Sequence, residues 1–314
     1  MQALVVAPGS PTGLERRDVP EPTPLSGEAV VGIHAFSLNR GEVGHIRVLP
    51  EGTVLGWDVA GTVVQAAADG TGPPVGTEVF GYVERRGAWA ERAAVPTATL
   101  AVLPSPVTMA QGATLGVAGL TAFYSLRLGG SLLGRTVLVT GAAGGVGRLA
   151  IQLASLSGAS VIAVVGEDPA RSDAVTGLNL PDLSLERGLT PTGRPAHLIL
   201  EGVGGDSLTA AFTRVAAGGV IVTYGRSSGE PGSVPPDWFF RNASLVGLSF
   251  SVHLAMDHTS PTGLEILGAL TASGRLDPGI SLEASWDDVD GAIESLRERR
   301  VSGKAVLHVR TDNP

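Results

Sequence analysis

The chain has 314 residues, of which 43% are hydrophobic and 17% charged, and its net charge is −8. This apolar content supports the core of one large domain or two ordinary ones, and it excludes long disordered tracts. The acidic balance, without a long Lys/Arg cluster, argues against nucleic acid as a partner. The chain contains no cysteine, so disulfides, iron–sulfur clusters, thiol nucleophiles and cysteine-bound structural zinc are excluded.

The N-terminal sequence MQALVV lacks the length and charge of a signal peptide. No uninterrupted apolar run reaches the roughly 18 residues that a membrane span requires. We therefore expect a cytoplasmic protein that has no membrane partner.

The first part of the chain is predicted to be rich in β-strands. Short apolar runs are separated there by Pro and Gly turns, a pattern typical of an antiparallel, barrel-like domain. These runs are Ala3–Val6, Ala29–Ala35, Val59–Val64 and Val79–Val83.

From Met109 onward, helical and strand patterns alternate, which predicts βαβ units and a parallel sheet covered on both faces. The predicted strands are Thr136–Thr140, Val161–Val165, His197–Leu200, Gly219–Thr223 and Leu245–Phe250. The predicted helices are Ala110–Leu128, Gly147–Ser157 and Leu208–Val215, followed by Gly263–Ser273 and Trp286–Arg299, and Lys304–Val309 is a closing strand.

The segment Val137–Ala154, VLVTGAAGGVGRLAIQLA, carries the most informative motif. A strand leads into Ala142, Gly144 and Gly147 and then into a helix, which is the spacing of a dinucleotide-binding loop with Ala in the first position. The middle glycine lets the backbone approach a pyrophosphate, and the last allows close packing of helix and strand. The free N–H groups of the helix start would face the phosphate charge. The predicted loop consists of Ala143, Gly144, Gly145, Val146 and Gly147.

The sequence after the second predicted strand bears on the choice of cofactor. Gly166 at the strand tip leaves room for a 2′-phosphate. The guanidinium of Arg171, five residues later, can form bidentate hydrogen bonds to phosphate oxygens. Glu167 and Asp168 argue the other way, because an acid near this position binds the ribose hydroxyls of NAD. The small residue at the strand tip favours NADPH.

Seven motifs extend over nearly the whole chain. They are SLNRGEVG around Asn39, GWDVAG at Gly56–Gly61, VAGLTAFYSL at Val117–Leu126, the loop AAGGVG, EGVGG at Glu201–Gly205, VTYG at Val222–Gly225 and GKAVL at Gly303–Leu307. With these motifs in this order, the chain resembles zinc-independent medium-chain dehydrogenases/reductases of the quinone oxidoreductase and enoyl reductase group.

The resemblance implies an α/β fold, with a Rossmann doubly wound parallel sheet plus a GroES-like β-barrel domain. The expected barrel domain consists of residues 1–118 and 249–314, and the expected NADP-binding domain of residues 119–248. Homodimers are common in the group. The stretch 174–195 is shorter than in the family. The resemblance therefore does not determine which residues contact the adenosine part of the cofactor.

The resemblance also implies the positions of site residues. Besides the phosphate loop, Gly166 and Arg171, the expected cofactor contacts are Asn39, Thr121, Val203, Tyr224 and Gly225. The expected substrate contacts are Trp57, Tyr124 and Phe250.

Zinc-dependent relatives have Cys at the place of Asn39 and a His-Glu pair at the place of Trp57 and Asp58. Because these ligands are missing, we expect no catalytic zinc. The zinc-free relatives reduce quinones, enones and enoyl thioesters. In that chemistry hydride adds to the β-carbon of a conjugated carbonyl, and a proton reaches the α-carbon.

The sequence does not determine which group donates this proton. Related enoyl reductases often have a Tyr where this chain has Gly44, and the adjacent His45 could replace it. Tyr82 and Tyr124 are further candidates, and water is another. His45, Asn39 and Tyr82 are the expected catalytic residues, although His45 could equally be a surface loop residue and Tyr82 a core aromatic.

Two other functions stay open from the sequence. One is a non-reductive cyclase or isomerase, as suggested for relatives in bacterial secondary metabolism, which would leave NADPH unspent. The other is a cofactor-binding protein without catalysis.

Overall fold

The computed structural model describes residues 1–249 and 260–309. The chain divides into two compact units, which are described separately below. The first unit is Met1–Leu120 together with Leu254–Pro314, and the second is Thr121–His253. These boundaries differ by only a few residues from those expected from the sequence.

The regular elements are numbered in chain order. The strands are β1 (Gln2–Val6), β2 (Leu14–Asp18), β3 (Glu28–Leu38), β4 (Asp58–Gln65), β5 (Glu78–Tyr82), β6 (Arg92–Pro96), β7 (Leu100–Val102), β8 (Thr136–Thr140), β9 (Ser160–Val165), β10 (Leu183–Arg187), β11 (Ala196–Glu201), β12 (Val215–Thr223), β13 (Ser244–Gly247), β14 (Ile280–Ser285) and β15 (Lys304–His308). The helices are α1 (Arg40–His45), α2 (Met109–Gly112), α3 (Leu120–Arg127), α4 (Gly145–Leu156), α5 (Pro169–Thr176), α6 (Gly205–Arg214), α7 (Ser260–Ala272) and α8 (Val289–Arg297).

The first unit is built on a curved sheet with the strand order β14-β15-β3-β4-β5-β7, to which β6 adds on β3. The C-terminal strand β15 pairs antiparallel with β3, with Ala305 opposite Leu38, so both ends of the chain contribute to one sheet. Apolar side chains that alternate along these strands fill the interior. Trp89, which is fully buried, stacks on Phe36 at the centre of this core.

The segment predicted as one helix, Ala110–Leu128, is interrupted. It forms α2, a π-turn at Leu115–Gly119 and then α3. The prediction was wrong here because the backbone N–H of Val117 donates to Oδ1 of Asp58 over 2.7 Å. A Cβ at Gly116 would lie 2.5 Å from the carbonyl oxygen of Gly81, so this turn packs directly on the sheet. Such π-turns are frequent at functional sites.

The second unit is a six-stranded parallel sheet with the order β10-β9-β8-β11-β12-β13. The chain starts in the middle at β8, runs outward to β10, and then returns to β11 beside β8. Loops that follow neighbouring strands at such a reversal form the crevice in which doubly wound folds bind ligands. The predicted α/β fold, a barrel plus a doubly wound sheet, is confirmed.

No helix separates β10 from β11, in agreement with the shortened sequence in this stretch. Instead, the buried guanidinium of Arg214 holds the connecting loop. It donates to the carbonyls of Thr190, Thr192 and Arg194 and pairs with Glu186. Within the described residues, no helix has the length and apolar character to cross a membrane.

Candidate functional site

The predicted phosphate loop connects β8 to α4 in the second unit. Gly144 is the N-cap of α4, and no side chain caps its free N–H groups. A Cβ at Gly147 would lie 2.3 Å from the carbonyl oxygen of Gly141. A Cβ at Gly144 would lie 3.2 Å from that same oxygen and would have no other neighbour within 4 Å in the part of the chain that the structure describes. Gly147 is therefore required by the fold, and Gly144 leaves an open approach to the helix start, as a dinucleotide pyrophosphate requires.

The loop after β11 lies beside the phosphate loop and is organised by one buried carboxylate. Glu201 accepts hydrogen bonds from the backbone N–H groups of Val203 and Gly204 and from the hydroxyls of Thr140 and Ser207, all between 3.0 and 3.2 Å. Thr140 ends β8, so the two loops at the strand-order reversal are tied together. Sequence reasoning identified the EGVGG motif but not this role of its first residue.

Tyr224 follows β12 and packs on the same loop. A Cβ at Gly202 would be 2.8 Å from the Tyr224 ring, and Gly225 lies against Gly202 in turn. Burial raises the pKa of the Tyr224 hydroxyl, and the nearby Glu201 carboxylate adds to the rise, so the hydroxyl keeps its proton at neutral pH. Val203, Tyr224 and Gly225 therefore come together at the crevice edge of this unit.

The adenosine side of the predicted site is formed by the end of β9 and the start of α5. Gly166 is exposed, and a Cβ there would meet nothing within 4 Å. Asp168 caps α5 by accepting from the N–H of Ala170 over 3.0 Å. Nε of Arg171 lies 4.0 Å from the Asp168 carboxylate, and its side chain is only 15% exposed. Arg171 is thus held against the acid at its own helix start, which sequence reasoning did not anticipate.

The barrel unit contains a buried cluster of polar side chains where α1, β4 and β15 meet. Asp58 is 0% and Lys304 3% exposed, and Nζ of Lys304 lies 3.5 Å from Asp58. Asp58 also accepts from Nδ2 of Asn39 over 2.8 Å and from the hydroxyl of Ser37. The contact between Asp58 and Lys304 could not be predicted from the sequence, because the two residues lie on different strands, β4 and β15, that are far apart in the chain.

Asn39 is a member of this cluster. Its Oδ1 accepts from Lys304 over 2.7 Å, while its Nδ2 donates to Glu42 and Asp58. Its backbone N–H donates to Glu42, which completes a capping box at the start of α1. The amide atoms of Asn39 are thus engaged within the unit, and a direct contact of this residue with cofactor or substrate stays a prediction.

Glu42 is 1% exposed, and every hydrogen bond that reaches it comes from an N–H donor. Burial raises the pKa of this carboxyl to about 8, and the Asp58 carboxylate adds to the rise, while Lys304 opposes it. The cluster therefore contains two carboxyl groups and one ammonium, and its net charge changes near neutral pH.

The expected catalytic His45 ends α1 and lies edge-on to the ring of Trp57, with ring centres 5.5 Å apart. Burial, reinforced by the charge of Arg86, lowers the pKa of the imidazole. His45 is therefore mainly neutral at pH 7. The charged imidazolium, which would be the proton-donating form, is a minor species at that pH.

The expected tyrosine donors are in the interior of their units. Tyr82, in the barrel unit, is 2% exposed, and Tyr124, in the second unit, is 1% exposed. Thr121, at the start of the second unit, is also buried. Phe250, an expected substrate contact, lies outside the described residues.

Comparisons with known proteins agree with this architecture. Residues 25–105 match the alcohol dehydrogenase GroES-like domain, and residues 173–307 match the family described as zinc-binding dehydrogenase. A quinone oxidoreductase-like protein 2 homolog from Nematostella vectensis is 29% identical over 89% of this chain and 81% of its own length. Prostaglandin reductase-3 of Bos taurus is 27% identical over 98% and 89%. The crystal structure of a Pseudomonas syringae quinone oxidoreductase is 25% identical, with a TM-score of 0.85 over 98% of this chain and 99% of that one.

The fold, the open phosphate loop and these relatives define an oxidoreductase that uses a nicotinamide cofactor. The chain belongs to the medium-chain dehydrogenase/reductase superfamily, with quinone oxidoreductase-like relatives, as its motifs predicted.

Proposed function

We propose that this protein is a zinc-free, NADPH-dependent reductase of activated double bonds, acting on an enone, an enoyl thioester or a quinone. The observation that carries the proposal is the open approach to α4 at Gly144, beside a loop that Glu201 holds in place. A dinucleotide would fit there because the backbone N–H groups at the start of α4 would face its phosphates, and no side chain of the described residues fills the space at Gly144.

The chain's own residues divide the work between binding and electrostatics. The phosphate loop, Val203, Tyr224 and Gly225 would hold the cofactor, which when bound supplies the hydride. In the barrel unit, the neutral imidazole of His45 can donate a hydrogen bond to a substrate oxygen on which charge builds, and Trp57 offers an apolar wall. In this proposal water supplies the final proton.

The chemistry of the barrel cluster supports the zinc-free part of the proposal. An amide, an indole and an ammonium are not zinc ligands, and the ammonium of Lys304 already balances the charge of Asp58. Among residues 1–249 and 260–309, no group of three His, Cys, Asp or Glu side chains is placed to hold a metal ion.

The test measures the consumption of NADPH in the presence of a panel of quinones, enones and enoyl thioesters. Consumption is monitored as the loss of the absorbance of the reduced nicotinamide. We expect turnover that a chelator does not reduce and a purified protein without stoichiometric zinc. Product formation without cofactor consumption would replace the proposal with a cyclase or isomerase. Cofactor binding without any product would leave a binding protein.

We also propose a homodimer. The phenyl rings of Phe239 and Phe240, which precede the edge strand β13, are 63% and 80% exposed. Large exposed aromatics beside a sheet edge are typical of contact surfaces. Light scattering coupled to size-exclusion chromatography gives the mass in solution, and a monomer would exclude the proposal.

A further inference from the structure

Three buried side-chain nitrogens in the barrel unit lack a hydrogen-bond partner within residues 1–249 and 260–309. One is Nε1 of Trp89, in the core, and the other two, Nδ1 of His45 and Nε of Arg86, belong to half-buried side chains. Nearly all buried polar atoms in proteins are paired, because an unpaired one loses its hydration without compensation. Two such atoms in one region indicate a site that a polar ligand completes.

The fold brings these two residues to the same place. The N–H of Val83, just after β5, donates to the carbonyl of Trp57 over 2.7 Å, and the N–H of Gly87 donates to Leu55 over 3.2 Å. The turn that carries Arg86 therefore lies beside Trp57, whose ring is in edge contact with His45. Burial and then the charge of Arg86 lower the pKa of the His45 imidazole, in agreement with this placement.

The backbone at Arg86 adds a second observation. Its φ is 72°, a left-handed conformation that costs energy for any residue with a Cβ and that Gly adopts freely. Glu84, on the same turn, is exposed and forms no ion pair with Arg86. A large cation at a position that favours glycine, without an ion pair among residues 1–249 and 260–309, indicates that its guanidinium is used.

We propose that Arg86 is a specificity-determining residue that binds an ionised carboxylate on the substrate, while the neighbouring His45 donates to the substrate carbonyl and Trp57 is the apolar wall. This inference rests on the proposed reductase function and narrows its substrate class. A guanidinium binds a carboxylate through two parallel hydrogen bonds, so the single N–H of the neutral imidazole stays available for the carbonyl oxygen. The preferred substrates are then small enones that carry a carboxylate.

The probes are trans-4-oxo-2-pentenoate, an enone with a carboxylate, and its uncharged methyl ester. The test variant is Arg86→Gly, which suits the left-handed backbone and should fold with undiminished thermal stability. The matched control is Arg85→Ala, which removes an equal charge from the exposed neighbouring position. In Arg86→Gly we expect kcat/KM for the acid to fall about 10- to 100-fold, with little change for the ester. Arg85→Ala should leave both values near those of the wild type.

A binding measurement separates this inference from the proposed function. Calorimetry of the saturated acid 4-oxopentanoate requires no turnover, and we expect its affinity to be weaker in Arg86→Gly and unchanged in Arg85→Ala. A wild type that spends no cofactor on either probe contradicts the proposed function, while the calorimetry still decides the role of Arg86. Absence of 4-oxopentanoate binding to the wild type, or equal effects of Arg86→Gly on acid and ester, would overturn the carboxylate assignment.

Discussion

The ammonium of Lys304 donates to Oδ1 of Asn39 over 2.7 Å, although 265 positions separate the two residues in sequence. The contact follows from the pairing of β15 with β3, in which Ala305 lies opposite Leu38. Because the Lys304 ammonium can only donate, the Asn39 amide has one orientation, with its oxygen on Lys304 and its nitrogen on Glu42 and Asp58. The motif residue Asn39 therefore organises the barrel interior.

Removing the ammonium should destabilise the protein strongly. In Lys304→Met, the Asp58 carboxylate stays buried without a cation, and we expect the free energy of unfolding to fall by about 3 kcal/mol. Denaturant titration measures this. The control is Arg300→Ala, which breaks an exposed pair with Glu298 and should leave stability close to that of the wild type. Equal stabilities of the two variants would show that the buried cluster contributes no more than a surface pair.

Glu42 should make stability depend on pH near neutrality. Its pKa is about 8 in the folded protein against 4.5 for an ordinary carboxyl, so the folded state holds the proton more tightly than the unfolded state. Stability from this site is therefore fully present below pH 4.5 and is lost as pH rises through 8. The slope is at most about 1.4 kcal/mol per pH unit. Denaturation of the wild type and Glu42→Gln across this window measures it, and parallel profiles would contradict the assignment.

The two loop glycines should separate folding from cofactor binding. Gly144→Val fills the open side of the loop, so we expect a folded protein with no calorimetric affinity for NADPH. Gly147→Ala places a Cβ 2.3 Å from the Gly141 carbonyl oxygen, and overpacking of this kind costs about 1–3 kcal/mol of stability. A folded Gly144→Val variant with normal NADPH affinity would rule out the loop as the phosphate site.

The sequence predicted those parts of the molecule that depend on neighbouring residues. The strand, loop and helix of Val137–Ala154 were predicted because apolar periodicity and glycine spacing are local properties. Two features could not be predicted in this way. The helix through Leu115–Gly119 is interrupted by Asp58, and the cluster of Asp58 with Lys304 depends on the register of β15 beside β3. Both are contacts between distant segments, which periodicity does not encode.

The ion pair between Arg171 and Asp168 bears on the choice between NADPH and NADH. Arg171 is the cation expected to bind the 2′-phosphate, yet its Nε lies 4.0 Å from the Asp168 carboxylate. A phosphate would therefore compete with this acid for the guanidinium. We expect the wild type to prefer NADPH, since Gly166 leaves the strand tip open, but the neighbouring acid should limit the preference.

Two single variants test this competition in opposite directions. Arg171→Ala should lower kcat/KM for NADPH about 10-fold or more and leave NADH nearly unchanged, because a charge-assisted bond to the 2′-phosphate is lost. Asp168→Asn should raise kcat/KM for NADPH, since Asn still caps α5 while its neutral amide frees the guanidinium. Unfolding temperatures close to that of the wild type would show that the cap is preserved. Two results would contradict this role of Arg171: an equal change of kcat/KM for both cofactors in Asp168→Asn, or an undiminished NADPH preference in Arg171→Ala. Arg171 would then only stabilise the start of α5, and another group would bind the 2′-phosphate.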